Sequence, residues 1–213
     1  MSAVAVFGAT GQTGRRVVDR LVRDGYGVLA ISRRPGGASG HGIRNAVADL
    51  TRAGVNHLSD LLSGVDAVVF AAAGDPIRVD RDGALRVIEA AERAGVTRFV
   101  LITGMGVGRT RPSEYHGGFW DTYFGAKEAS ERGLRASTLS WTILQPGELL
   151  DERGRGRVEL APTGSLPLGV VTRDDVAAVV AAVLDRADAV GRGWEVVAGD
   201  RSIDEAIDAA VLQ

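Results

Sequence analysis

The chain has 213 residues, 45% hydrophobic and 24% charged, with a net charge of -2 at pH 7; that suits one domain with a full core and carries no basic footprint of a nucleic-acid binder. It has no cysteine and three scattered histidines, His41, His57 and His116, which excludes disulfides and thiolate chemistry and leaves no zinc-type spacing. No apolar run approaches the roughly 20 residues of a membrane span, and the opening MSAVAVFGATG lacks the parts of a signal peptide, so the expectation is a cytoplasmic protein without metal, membrane or nucleic-acid partner.

Taken in order, AVAVF (3–7) reads as a buried strand and QTGRRVVDRLVRDG (12–25) as a helix, with Val17, Val18, Leu21 and Val22 on one side. GVLAISR (27–33) is a strand, GGASGHG (36–42) a flexible loop, and IRNAVADL (43–50) a weaker strand. A short helix at 55–64, a strand at 66–74, a helix at 80–95 and a strand at 97–104 follow. DTYFGAKEASERGLRAS (121–137) reads as a helix and SWTILQPG (140–147) as a strand. Residues 149–169 read as irregular, with one strand around Val158–Leu160. A helix at 172–188, with Thr172 or Asp174 near its N-cap, a strand (GWEVVAG) and a helix (SIDEAIDAAVLQ) close the chain. Many of the 29 glycines end these segments, where a left-handed cap is needed. Continuous apolar strands alternating with amphipathic helices predict an α/β fold with a doubly wound parallel sheet.

In VFGATGQTGRRVV, Gly8, Gly11 and Gly14 lie between the first strand and the first helix. A dinucleotide needs glycines there: Gly8 for the tight turn, Gly11 for backbone approach to a pyrophosphate, Gly14 for close packing of the helix. The helix N-terminus then offers free N–H groups to phosphate. The spacing is G-x-x-G-x-x-G, and Thr10, Gln12 and Thr13 complete the loop. At the end of the second strand, Ser32, Arg33 and Arg34 stand where an NAD site carries a carboxylate. Guanidinium groups suit a 2′-phosphate, so the expected cofactor is NADP(H) rather than NAD(H); one arginine, Arg34 in particular, can instead be a solvated loop residue.

GATGQTG, ADL (48–50), FAAAG (70–74), AGVTRFVLITGMG (94–106), YFGAK, LSWTILQPGEL and VTRDDVAAVV occur in this order. Together they resemble the atypical short-chain dehydrogenases/reductases, in particular the compact NmrA-like NAD(P)-binding proteins and the biliverdin/flavin reductase type. The resemblance spans nearly the whole chain and implies one Rossmann-type NAD(P)-binding domain over 1–213, with 148–172 as a small substrate-side segment. It implies that Asp49 and Leu50 flank an adenine, that Ala71, Ala72 and Ala73 line the adenosine side, and that Pro146, Gly147 and Leu149 lie beside a nicotinamide. It makes Tyr123 and Lys127 a catalytic pair, with Lys127 also on the nicotinamide ribose, and Thr103, in place of the usual Ser, the holder of a substrate oxygen. Gln145 replaces a common Arg.

On spacing alone, Tyr123 and Lys127 are helix neighbours four apart that can face water together with Glu131, leaving Ala126, Ala129 and Leu134 inside. Their place between the fifth and sixth strands of a dinucleotide fold turns the reading towards a proton-transfer site. A lysine ammonium beside a phenol would lower its proton affinity, ordinarily near pKa 10. Just before the helix, Tyr115, His116, Phe119, Trp120 and Phe124 gather. His116 and Trp120 either line a pocket for a flat substrate or anchor a loop on the sheet. Arg153, Arg155 and Arg157 read as a solvated basic loop. The expected function is NADP(H)-dependent hydride transfer to or from a small carbonyl or quinone-like compound. The rivals are an NADP(H)-sensing protein without turnover and a non-redox isomerase, dehydratase or cyclase. The chain is too short for the large C-terminal lobe of sugar-nucleotide epimerases.

Overall fold

A computed structural model of the chain describes residues 2–34, 37 and 39–213. Eleven strands and six α-helices occur among them. They are β1 (Ala3–Phe7), α1 (Gln12–Arg23), β2 (Gly27–Ser32), β3 (Ile43–Val47), α2 (Val55–Leu61), β4 (Ala67–Phe70), α3 (Asp82–Arg93), β5 (Arg98–Ile102), α4 (Gly118–Arg135), β6 (Ser140–Pro146), β7 (Glu148–Leu150), β8 (Arg157–Pro162), β9 (Val170–Thr172), α5 (Arg173–Leu184), β10 (Arg192–Ala198), β11 (Arg201–Ser202) and α6 (Ile203–Val211). The flexible loop expected at 36–42 lies partly outside the described residues. No helix among them is long and apolar enough to cross a membrane.

Nine strands form one sheet in the order β11-β8-β10-β6-β5-β4-β1-β2-β3. From β10 to β3 every pairing is parallel. The chain moves outward from β1 to β2 and β3, then returns to β4 on the other side. That reversal opens a crevice above the carboxyl ends of β1 and β4, where open α/β sheets take ligands. Both sheet faces are covered, which is why the strands read as unbroken apolar runs. Val4, Val6, Val69 and Val100 pack with Val17 and Leu21 of α1, Val176 and Val180 of α5 and Ile207 of α6. Ala5, Phe7, Val68 and Phe99 point the other way, against Leu58 of α2, Val87 and Ile88 of α3 and Leu134 of α4. Helix α5 is apolar nearly all round because the sheet and other helices enclose it.

Two stretches differ from the sequence reading. Residues 149–169 are less irregular than expected: the strand expected around Val158–Leu160 is β8, which enters the sheet antiparallel to β10, with Val196 opposite Leu160. Its alternation, Val158 and Leu160 buried and Glu159 half-buried, is short, and only the pairing partner makes it a sheet strand. β7 and β9 form a small parallel pair of their own. The helix expected from residue 80 begins instead as a π-helical stretch, Pro76–Arg81. Asp75 caps it, accepting from the amides of Ile77 and Arg78 at 3.0 and 2.8 Å.

Candidate active site

The glycine loop leaves β1 through Gly8, whose φ is +82°. The amides of Gly8 and Ala9 donate to the Ile31 carbonyl at 3.1 and 3.2 Å, and the Gly11 amide donates to the Gly8 carbonyl at 2.8 Å. A Cβ on Gly8 would stand 2.7 Å from the backbone of Ala72, and one on Gly14 would overlap the Gly8 carbonyl. The two glycines therefore let three backbone segments meet. Gly11 caps α1 without a side-chain bond to its first turn, and that turn has no acidic residue. Its free N–H groups and positive dipole end are left to an anion.

Above this loop lies a cleft of about 570 Å³. Gly8, Thr10, Gly11, Gln12 and Thr13 line one side, Ser32, Arg33, Asp49 and Leu50 another, and Ala71, Ala72 and Ala73 a third. Arg33 is exposed at its edge, and no carboxylate ends β2. Arg34 is not in the wall; its carbonyl accepts the Ser32 hydroxyl at 2.7 Å. Gly14 lies behind the loop as a packing residue. Asp49 folds onto its own turn, its Oδ1 accepting from the Thr51 amide at 2.9 Å and hydroxyl at 2.8 Å. Those bonds, the amide's first, hold its carboxyl below the ordinary 3.8.

A second cavity, about 440 Å³, continues from the first; Leu149 and Arg173 line both. Thr103, Gly104, Pro146 and Gly147 form its floor, while Tyr115, Trp120, Tyr123 and Phe124 supply aromatic wall. Trp120 stacks on Phe124 at 6.0 Å between centroids and meets Tyr115 edge-on at 5.1 Å. Arg111 caps Phe124, 4.4 Å from its ring centre. His116 does not reach the wall. It is exposed, with Nε2 3.0 Å from the Arg111 carbonyl, because the loop turns outward before α4. Asp151 binds Arg16 at 3.1 Å and Arg173 at 3.2 Å, which ties the segment after β7 to α1 and α5 where the cavities join.

The Tyr123 hydroxyl sits over the end of β5; a Cβ on Gly104 would lie 3.4 Å from it. Lys127 is not beside it on a wet face. It is buried, 5.8 Å from the Tyr123 ring centre, and its Nζ donates to Asp80 Oδ1 at 3.2 Å. It lines neither cavity. The expected effect on the phenol is also reversed. Burial first, and the Asp80 charge second, push Tyr123 up to about 12. The spacing placed Lys127 correctly relative to Tyr123, but gave no sign of the carboxylate that neutralises it.

Thr103 likewise has an unforeseen partner. Its hydroxyl donates to Glu131 Oε1 at 2.6 Å, and Gln145 Nε2 donates to the same oxygen at 2.9 Å. Gln145 Oε1 accepts the Thr163 hydroxyl at 2.6 Å. Glu131 is buried rather than solvated. With its proton committed, Thr103 offers the cavity an acceptor, not the donor a carbonyl oxygen requires. Asp80 and Arg173 are thus absent from the expected site, and Glu131 is expected there only as a solvated residue. A faint signal existed for one: Glu131 stands four residues beyond Lys127 on the same helix stripe. Among the described residues no cluster could hold a metal ion.

Comparison with known proteins agrees with this architecture. Residues 8–187 match the family described as NAD(P)H-binding. The uncharacterized sugar epimerase YhfK of Bacillus subtilis (strain 168) is 32% identical, over 96% of this chain and 98% of its own. The NAD(P)H azoreductase of Xenophilus azovorans is 27% identical, over 98% of this chain and 72% of its own. A putative NAD-dependent epimerase/dehydratase from Bacillus halodurans superposes with a TM-score of 0.86 at 29% identity, covering 98% of this chain and 100% of that one.

Proposed function

The chain belongs to the NAD(P)H-binding family, and on that premise we propose that it is an NADP(H)-dependent oxidoreductase that reduces a small, flat carbonyl or quinone-like compound. One observation carries the proposal: the cleft above the glycine loop runs into an aromatic cavity that has the Tyr123 phenol in its wall. The residues fit the cofactor. Gly8 and Gly11 line the cleft beside the free N–H groups at the start of α1, which suit a pyrophosphate, and Arg33 lines it at the end of β2, suited to a 2′-phosphate, with the nearby Asp49 carboxylate bonded to Thr51. When bound, the reduced cofactor supplies the hydride. Tyr123 supplies the proton to the substrate oxygen, and water at the cavity mouth returns one to the phenolate. Trp120 and Phe124 hold a planar ring, and Phe119, 61% exposed and stacked on Tyr123 at 6.0 Å, extends that surface outward. The relative named as an NAD(P)H azoreductase supports a redox role; the relatives named as epimerases keep a non-redox reading as an outcome of the test.

Thermal unfolding with NADPH and NADH in parallel tests the cofactor. Ligand at 100 times its dissociation constant adds about 2.7 kcal/mol, and at this size each kcal/mol moves the midpoint about 2–4 °C. NADPH should raise it by several degrees and NADH by less, and Arg33→Ala should remove the difference. NADPH oxidation with a quinone panel then tests the reaction. Binding without turnover on any acceptor favours a sensor, and substrate conversion without NADPH consumption favours an isomerase. Tyr123→Phe should lower turnover by about 10²–10⁴-fold while leaving the NADPH thermal shift in place.

A further inference from the structure

The Asp80–Lys127 pair is a poor device for stability. Asp80 is 1% exposed and Lys127 3%. Among the described residues the lysine ammonium has Asp80 as its one hydrogen-bond partner, and Asp80 Oδ2 is buried with none. A buried pair so thinly satisfied recovers little of its desolvation cost, and apolar residues of similar size would serve the core as well or better. The π-helical stretch that carries Asp80 is held by the Asp75 cap and begins in the wall of the cofactor cleft. The pair therefore joins the stretch behind the cleft wall to α4, next to the site and outside its lining.

Its position has an electrostatic consequence. The ammonium lies 5.8 Å from the Tyr123 ring, close enough to favour a phenolate. The carboxylate at 3.2 Å from that ammonium opposes it. Other charges around the phenol are spoken for: Arg111 lies 3.5 Å from Asp121, Arg173 3.2 Å from Asp151, and Glu131 holds Thr103 and Gln145. Glu148 lies on the exposed cavity rim. On the far side Asp75 is bonded to its own turn, Arg81 to Asp82, and Arg86 to the Leu50 carbonyl. Among the charges, that leaves the Lys127–Asp80 balance to act on the phenol, on top of the burial that already pushes it up.

We propose that Asp80 is a positioning residue of this site: its carboxylate pins the Lys127 ammonium inside the protein and cancels its pull on Tyr123, which keeps Tyr123 a proton donor. The inference rests on the role given to Tyr123 above. It distinguishes this chain from a site in which a free lysine prepares a phenolate base, and it directs the chemistry towards reduction.

The test is an alkaline absorbance titration of the cofactor-free protein. Tyr123 is isolated by difference against Tyr123→Phe in the same background, since Tyr26 and Tyr115 also absorb. In Asp80→Asn the Tyr123 midpoint should fall by about one pH unit or more, and Asp80→Glu should restore it. In Lys127→Met it should rise, because the carboxylate then acts alone. A midpoint unmoved in Asp80→Asn, or lowered in Lys127→Met, overturns the proposal. If one variant fails to fold, the other decides by its own sign. The titration needs no turnover, so it stands apart from the assigned reaction: a wild-type protein that reduces nothing would end the proposed function and leave the titration result intact. In an active enzyme, the alkaline limb of kcat/KM for quinone reduction should move down with the midpoint in Asp80→Asn.

Discussion

Gly8 and Thr103 show how much a single position can settle. At Gly8 a positive φ and the close backbone of Ala72 act together. Alanine there meets strain of about 1–3 kcal/mol and pushes apart the strands that form the crevice. Gly8→Ala should melt several degrees lower in a thermal scan and lose most of its NADPH-induced shift. Thr103 is settled by hydrogen-bond direction instead. Thr103→Val takes a donor from buried Glu131, which should cost about 1–3 kcal/mol in urea unfolding, and it removes the acceptor facing the cavity. Thr103→Ser keeps both and should stay near wild type in stability and turnover. Equal loss in both variants would show that the methyl, not the hydroxyl, matters.

Among the elements, α5 depends on one distant side chain. Arg98, at the start of β5, is buried, and among the described residues no carboxylate pairs with it. It donates to the carbonyls of Ser140 and Val183 at 2.7 and 2.8 Å and to the Thr142 hydroxyl at 2.5 Å. Val183 is in the last turn of α5, so the guanidinium satisfies a carbonyl the helix cannot pair and meets the negative end of its dipole. Burial draws Arg98 down to about 10, still charged at neutral pH. Arg98→Met should cost at least about 2–3 kcal/mol, read from the urea midpoint. The exposed counterpart is α6, where Ser202 and Glu205 form a capping box. Ser202→Ala should cost only about 1 kcal/mol, and reversal of that ranking would refute the account of Arg98.

The molecule as a whole should weaken in acid. Asp49, Asp82, Asp188 and Glu205 are all held below their ordinary values by hydrogen bonds, from the Thr51 amide, Arg81, Arg186 and Ser202 respectively. Because the folded state binds these protons less readily than the unfolded chain, the stability they confer is present above 3.8 for the aspartates and 4.5 for the glutamate, and is lost as pH falls through the lower folded values. Asp188 and Glu205 are exposed and Asp49 and Asp82 partly so, and each effect is small. Asp80 works in the opposite direction: burial raises it, and its protonation favours the folded state as pH falls. In Asp80→Asn, where that opposing group is gone, the urea midpoint should fall between pH 5 and pH 3. A midpoint unchanged at pH 3 would contradict this balance.

The order of the main strands and helices, the glycine turn after β1, the absence of a carboxylate at the end of β2 and the aromatic segment around the start of α4 are all legible in the sequence. Each is a local matter of side-chain period, backbone angle or short spacing. Packing alone decided the rest. β8 is legible as a strand, but its place in the sheet, antiparallel beside β10, is not. Lys127 and Glu131 fall on a stripe that periodicity assigns to water, and they are buried because Asp80, 47 residues away from Lys127, and Thr103, 28 away from Glu131, meet them there. His116 looks like pocket material and points outward because the loop turns. A helix period says which side chains share a face. It does not say what that face will meet, and a buried charge is tolerated only where a distant partner arrives to answer it.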